Sequence, residues 1–555
     1  MSSGARERLE ARGPDVPPED LPADHAAALR AVFRVFEHIQ GAPDHEGHRV
    51  RLERWADQAR DAGWPDVRMH VLHGLLVNDL FAAAPPEQLR ARSDAFREAA
   101  EDSGDEIMLA RALGGRMTFL GVSDEEGLED RPGELARAVA MLDEVLEGDP
   151  GTLGRRAAEL SASYNECAQA YHFLELWELE QEMYDKALAA FDHVPPGDPV
   201  MEFVGFAQRA LTVNRTESAA AAAAAFLGAG RDDQARTLAR TCYRPSPEQL
   251  RALPPAWSVS LRPVVRLLDA IAADPEQAQR LRTVPADLWQ DLGDTVWKGY
   301  RGLLLLSAAV AARTLGATDE AAGHAERSIG WFDLYRPSFK NLAFRLAAHR
   351  VGDDDPALRW ALHQADLRHE SRLQVLAAAR ARLSSERVVR YGERLHRQAY
   401  VDELTGVANR HAFNEFLGRR RTEPADRRLC VALLDLDGFK SVNDRFGHGI
   451  GDEVLRTVGR LLSGAVRGAD LAVRLGGDEF ALLLPATGSG RYERRLAGLV
   501  DRVRRQPWSS LAAGLQVTVS VGSAVGAASD VDALLRTADE NLYRAKAAGR
   551  DRLVG

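Results

Sequence analysis

The segment CVALLDLDGFK is an apolar run that ends on Asp435 and Asp437. Read as a buried strand, its alternation turns both carboxylates to one face where the chain leaves the sheet. Two acids so placed can bind a divalent cation, although Asp-x-Asp at a strand end serves equally well as a turn or helix cap. The segment LAVRLGGDEFALLLP reads as two strands joined through Gly476, Gly477, Asp478 and Glu479. Paired glycines there form a tight hairpin and let a ligand approach the backbone closely, and the adjacent acids have no packing purpose. If that hairpin lies beside the Asp435 strand, Asp435 and Asp478 can hold one or two Mg2+ ions, with Glu479 facing the same cleft. Such carboxylates repel one another unless cations sit among them. The economical reading is a two-metal site for phosphoryl transfer.

These residues also carry a resemblance. LDLDGFKSVNDRFGHGIGDEVL followed by RGADLAVRLGGDEFALLLP resembles the catalytic domain of the GGDEF family of diguanylate cyclases. DELTGVANRHAF, which begins at Asp402, resembles that family's opening, and ADENLYRAKAAGRDRL resembles its last helix. The motifs fall in order over residues 399–555 and leave residues 1–365 untouched. VANR stands where the family more usually has a leucine-proline version, a change of packing rather than chemistry.

The resemblance implies a palm-like α/β fold related to nucleotide cyclases and polymerases. It also implies two Mg2+ per active half-site, with Mn2+ as a substitute, and one GTP per subunit. The implied reaction condenses two GTP into cyclic di-GMP and two pyrophosphates, each ribose 3′-hydroxyl attacking the other's α-phosphate. By matching position, Asp435 and Asp478 are metal ligands, joined by the carbonyl of Leu436. Glu479 either completes the metal set or helps deprotonate the 3′-hydroxyl, so Asp478 and Glu479 are the catalytic pair. Gly476 and Gly477 border the substrate. Asn443 and Asp452 match the guanine-reading positions: a carboxylate accepts the guanine N1 and N2 donors and would repel the acceptor N1 of adenine, so GTP is preferred over ATP. His448, between them, contacts substrate or is simply the first residue of a helix. Lys440 and Lys546, with Arg550 one helical turn after Lys546, match the triphosphate positions. The chain has only five lysines, Lys186, Lys298, Lys340, Lys440 and Lys546, among 71 basic residues, so a compact ammonium is spared where triphosphates are gripped. Arg467 and Asp470 match an inhibitory product site, where a guanidinium can fork onto phosphate or guanine and the aspartate can accept guanine N–H groups.

The elements that must position these groups are legible more coarsely. From Tyr400 onward short apolar runs alternate with helical patterns, which predicts an α/β sandwich with a helix-covered sheet. Residues 23–365 predict an all-helical domain, rich in Ala, Leu, Arg and Glu with apolar residues every three or four positions. RAAELSASYNECAQAYHFLELWELEQEMYDKALAAFDHV pairs two amphipathic helices. FLGAGRDDQARTLARTCY and RTLGATDEAAGHAERSIGWF each set Gly just before an acidic N-cap cluster. The region resembles a tetratricopeptide-like solenoid, although no strict repeat period runs through it, and a generic helical bundle is the alternative. Residues 366–398 predict a connecting helix. Its stripe through Leu373, Leu376, Leu383, Val388 and Leu395 is spaced for a coiled-coil seam, the alternative being a solvated linker helix. Residues 1–22 predict a disordered tail.

Bulk properties narrow the function class. A chain of 555 residues needs several cores, and 45% apolar with 28% charged residues is ordinary for a globular protein. A net charge of −11 gives no broad attraction to nucleic acid or anionic lipid. Three cysteines, far apart, fit a reducing cytoplasm better than a disulfide framework. The N-terminus lacks a signal-like apolar core, and the runs from Ala219 and Leu303 are too short to span a bilayer. Since each subunit presents one GTP, turnover requires a homodimer. The helical region has an unknown input, a protein or small-molecule ligand. A non-enzymatic receptor using Arg467 and Asp470 is the alternative from another class, and a scaffold centred on the solenoid is a third.

Overall fold

The computed structural model describes residues 18–39, 44–120, 131–148, 153, 156–194, 201–292, 299–332, 337–348, 356–422, 424, 427–486 and 491–555. The expected tail falls outside these residues as far as residue 17. The chain divides into two compact units, Met1–Val388 and Val389–Gly555.

The first unit is built of helices whose connections repeat one device. The helices His45–Asp61, Ala157–Phe173, Met201–Gly228 and Gly299–Thr314 each lead through a short turn into the next helix. The turns at Gly63, Glu175, Gly230 and Gly316 have φ of 71°, 56°, 76° and 75°. In each, the following amide closes a six-residue loop: Trp64 N to Ala59 O, Leu176 N to Tyr171 O, Arg231 N to Phe226 O and Ala317 N to Ala312 O, at 2.8–3.0 Å. This left-handed cap satisfies helix-end carbonyls and reverses the chain within two residues. The acids expected as N-caps sit one step further in. Arg231 and Ala317 are the caps, without side-chain capping bonds, while Asp232, Asp233, Asp319 and Glu320 lie in the first turns, where they face the positive end of the helix dipole.

Three apolar clusters fill this unit, with Trp55, Phe96, Tyr164, Tyr171, Tyr184 and Phe339 fully buried. The two long apolar runs are core: Ala219–Ala224 are at most 4% exposed, and Leu303, Leu304 and Leu306 are wholly buried. A helix apolar on all sides is either buried or in a membrane; among the described residues no helix is long and apolar enough to cross a membrane.

The helix α1, Pro356–Tyr400, begins before the expected connector at 366. Its stripe divides. Leu376 and Leu383 join the cluster around Tyr164, Tyr171 and Met183, whereas Leu373, Val388 and Leu395 are 44%, 69% and 46% exposed. Polar contacts hold the same face. Arg372 forks onto Glu178 at 2.8 and 3.1 Å. Arg387 donates to the buried Asp143 at 2.8 Å, which also accepts from Tyr164 and Lys186 at 2.8 Å each. A buried carboxylate with three donors is stable where an unpaired one is not.

The second unit is a five-stranded sheet in the order β2-β3-β1-β4-β5. The strands are β1 Arg428–Leu436, β2 Leu471–Gly476, β3 Glu479–Ala486, β4 Val519–Ala527 and β5 Leu553–Val554. β1 is antiparallel to β3 and β4, and β4 is parallel to β5. The helices are α2 Arg410–Arg420, α3 Phe439–Phe446, α4 His448–Ser463, α5 Arg491–Arg505 and α6 Val531–Ala547. Strand alternation separates the two cores. Cys430, Ala432, Leu434 and Leu436 pack with α3, α4 and α5, and Leu429 and Val431 pack with Phe413 and Leu417 of α2 and Val531, Leu534 and Ala538 of α6. A side chain at Gly522 of β4 would place its Cβ 2.0 Å from Leu542 N and 2.2 Å from Ala538 O. Its bare backbone is what lets α6 lie directly on the sheet.

The division of the α1 stripe predicts unequal mutational costs. Leu383→Ala should lower stability of the first unit by about 2–5 kcal/mol, and Leu395→Ala should stay within about 0.5 kcal/mol. Urea unfolding of both variants measures the difference; equal costs would contradict the burial of Leu383.

Candidate functional site

β1 carries the site because the sheet register delivers two acids to one point. Asp435 lies directly opposite Glu479 of β3 and opposite Ser520 of β4. The loop between β2 and β3 is tighter than the four residues of the motif: Gly476 pairs with Glu479, leaving Gly477 and Asp478 as a two-residue turn. Gly476 and Gly477 have φ of 152° and 54°. The turn also touches β1, since Leu436 N donates to Asp478 O at 3.3 Å. The structure therefore brings Asp435, Leu436, Asp478 and Glu479 together. Like charges directly across two strands disfavour the pairing unless something offsets them.

Electrostatics supports that description. Burial pushes the Asp435 carboxyl above its ordinary range; Lys546 works against this and the nearby charges of Asp478 and Asp437 add to it. Lys546, near the end of α6, reaches Asp435 with Nζ 2.6 Å from Oδ2. Odd-numbered β1 residues face α6, and so the strand alternation itself aims Asp435 at Lys546. Among the described residues no three His, Cys, Asp or Glu side chains converge tightly enough to hold a metal by themselves. Two carboxylates and a main-chain carbonyl nonetheless fit a hard cation of the Mg2+ type, which commonly shares its coordination with substrate phosphates and water.

Asp437 has a different environment from the one its spacing suggests. Its carboxylate accepts from the hydroxyls of Thr518 and Ser520 at 2.7 Å each and from the amide of Asp551 at 3.0 Å. The sequence reading missed those three partners. Nothing local marks them, because the bonds join segments far apart in the chain.

Lys440 is exposed on the first turn of α3, and Asn443 is half-buried on the same helix. His448 is exposed as the first residue of α4, and Asp452, half-buried, follows Gly451 on that helix. A Cβ on Gly451 would fall 1.9 Å from Asn443 Oδ1. The Asn443 amide thus lies against the α4 backbone at Gly451, the residue before Asp452. Arg550 is not one helical turn beyond Lys546 as expected. α6 ends at Ala547, and Gly549 and Arg550 turn with φ of 107° and 61°. A glycine free to take that conformation ends the helix before Arg550.

Arg467 and Asp470 form a turn ahead of β2, Arg467 N donating to Asp470 Oδ2 at 2.9 Å. The Arg467 side chain is exposed, while Asp470 is ion-paired with Arg495 of α5 at 2.6 Å. Arg495 is a further partner that the sequence reading missed. So is Arg474 of β2, which ties two motif segments: it donates to Gly477 O at 2.9 and 3.0 Å and to Asp402 at 3.1 Å. Asp402 in turn accepts from the Thr405 hydroxyl at 2.6 Å.

Residues 399–552 match the family model described as diguanylate cyclase, GGDEF domain. The chain is similar to diguanylate cyclase DgcP of Pseudomonas aeruginosa, 40% identical over 161 residues, which are 28% of this chain and 24% of that one. It is also similar to response regulator PleD of Caulobacter vibrioides, 39% identical over 165 residues, 28% of this chain and 36% of that one. Among solved structures it matches the coiled coil and GGDEF domain of DgcB from Caulobacter crescentus in complex with c-di-GMP. That match has 30% identity, covers 33% of this chain and 97% of the other, and has a TM-score of 0.28. The chain spans between 24% and 36% of the length of these two curated relatives.

The Arg474 link predicts a pH dependence. Burial works to raise the Asp402 carboxyl, but hydrogen bonds from Thr405 and Arg474 outweigh it and hold Asp402 below its ordinary range. A carboxyl depressed in the folded state adds stability above its unfolded value, and that contribution is lost as pH falls through the lower folded value. Arg474→Leu should therefore flatten the acid limb of stability against pH for the second unit. Unfolding midpoints measured from pH 6 down to pH 3 would show this; parallel wild-type and variant curves would contradict the coupling.

Proposed function

We propose that this chain, whose residues 399–552 are a GGDEF domain, is a diguanylate cyclase that joins two GTP into cyclic di-GMP and two pyrophosphates. The observation that carries the reading is the register that sets Asp435 opposite Glu479, with Asp478 at the adjoining turn and Lys546 on Asp435.

Asp435, Asp478 and the carbonyl of Leu436 would hold Mg2+, two ions per half-site with Mn2+ as a substitute, which when bound offset charge on the attacking and leaving oxygens. Glu479 supplies the third carboxylate at that point, as a ligand or as the acceptor of the ribose 3′-hydroxyl proton. Lys440, Lys546 and Arg550 bind the triphosphate, and the bare backbone of Gly476 and Gly477 borders it. Asn443 and Asp452 read the guanine edge, and His448, which lies between them in sequence, contacts the substrate. Arg467 and Asp470 bind accumulated product and slow turnover; exchange of the Asp470–Arg495 ion pair for guanine contacts is the local event this requires. One GTP per domain makes a homodimer obligatory, with the two domains face to face.

We assign residues 23–365 to a tetratricopeptide-like sensory domain for a protein or small-molecule ligand, with 366–398 as the connector that sets the dimer. The cytoplasm is the compartment we assign, in keeping with three free cysteines. A pure receptor for cyclic di-GMP is the weaker reading, because it would have no use for the acids at the end of β1.

Incubation of the full chain with GTP and Mg2+, followed by chromatography, should yield cyclic di-GMP and pyrophosphate, and absence of both would overturn the reading. Asp478→Asn should reduce the rate on the order of 100-fold or more while leaving the fold intact, since it removes charge from a turn rather than a core. Near wild-type turnover would remove Asp478 from the metal set. Asp452→Ala should narrow the preference for GTP over ATP, and an unchanged ratio would place guanine recognition elsewhere.

A further inference from the structure

Asp437 lies two residues beyond Asp435 on the same side of the chain, yet its oxygens are already engaged. Oδ2 accepts from Thr518 Oγ1 at 2.7 Å and Asp551 N at 3.0 Å, and Oδ1 accepts from Ser520 Oγ at 2.7 Å. Its own amide donates to Thr518 O at 3.0 Å. One residue therefore joins the end of β1, the approach to β4 and the turn after α6. Donors fill most of its acceptor positions, which leaves little lone-pair capacity for a cation.

The turn it holds is an unusual one. Gly549, Arg550 and Asp551 follow one another with φ of 107°, 61° and 48°, and non-glycine residues persist in that region only where their surroundings impose it. Other restraints act on the same turn: Arg550 N donates to Ala545 O at 3.0 Å, Arg504 donates to Asp551 Oδ2 at 2.6 Å and to Asp551 O at 3.1 Å, and Arg552 Nε donates to Arg550 O at 2.8 Å. The turn directly follows Lys546, whose ammonium rests on Asp435.

We propose that Asp437 is a positioning residue and not a metal ligand: by holding the Asp551 amide and the start of β4, it sets where Lys546 and Arg550 stand over the Asp435 end of the sheet. The proposal rests on the reading of those two side chains as triphosphate contacts.

The test uses the full chain. Asp437→Asn keeps the shape but turns one acceptor into a donor opposite other donors. Hydrogen exchange of the C-terminal peptide containing Arg550 and Asp551 should accelerate about tenfold, as expected for one lost charge-assisted hydrogen bond. KM for GTP should rise by a similar factor, about tenfold, with Mn2+ affinity unchanged in titrations followed by electron paramagnetic resonance in the presence of a non-reactive GTP analogue. The double variant Thr518→Val/Ser520→Ala leaves the carboxylate in place and should reproduce the higher KM. Loss of Mn2+ affinity with unaltered exchange would make Asp437 a ligand and overturn the proposal, and faster exchange with an unchanged KM would overturn the link to Lys546 and Arg550. If the wild-type chain forms no product from GTP, the functional reading fails, while the exchange and Mn2+ measurements still decide between a positioning and a ligating Asp437.

Discussion

The arrangement of the C-terminal unit depends on the register of β1 against its two neighbours. Side chains alternate with a period of two, so a slip of one residue would turn Asp435 to the face occupied by α3, α4 and α5 and move the apolar set that now fills that core to the face covered by α2 and α6. In the register observed, Cys430, Ala432, Leu434 and Leu436 are buried on one face while Asp435 emerges on the other, across from Glu479. The hydrophobic demand of the core and the placement of the acids are thus one constraint. The cluster of negative charge is tolerated because the rest of the strand holds it there.

The opposite side of the site is formed by α6, and its position has its own cause. Gly522 admits the helix against β4 at backbone distance, which brings Lys546 within 2.6 Å of Asp435. Half-buried carboxylates and guanidinia elsewhere serve as fasteners. Asp437 gathers donors from two segments, Arg474 joins the hairpin to Asp402, and Arg495 holds Asp470. The groups free to meet a ligand are few because most charges nearby are already committed.

In the helical unit, α1 shows how one sequence pattern can serve two partners. A thin apolar stripe along a helix reads equally as a seam between two chains or as a face docked on its own chain. Leu376 and Leu383 are used in the second way, with Arg372 and Arg387 anchored to acids beside them. Any pairing of α1 with a second copy must therefore draw on its other faces, where Val388 and Leu395 are exposed.

Much of this was legible from residue order. The change from a helical period to alternating apolar runs near Tyr400 marked the α/β unit, and the acids at strand ends marked the site, because strand alternation and hairpin chemistry are local rules. The buried fate of the apolar runs at Ala219 and Leu303 followed from their length. What tertiary structure alone decided were the matters set by partners distant in sequence. Asp435 and Asp437 look equivalent in the motif, yet one meets Lys546 and the other meets Thr518, Ser520 and Asp551. Arg550 left the helix because Gly549 ended it. The leucines of α1 were divided between core and solvent by which helices packed against them. A sequence determines which groups a chain carries and the local period at which they recur; which of them are saturated by the protein itself, and which are left for a ligand, depends on contacts that only the folded chain makes.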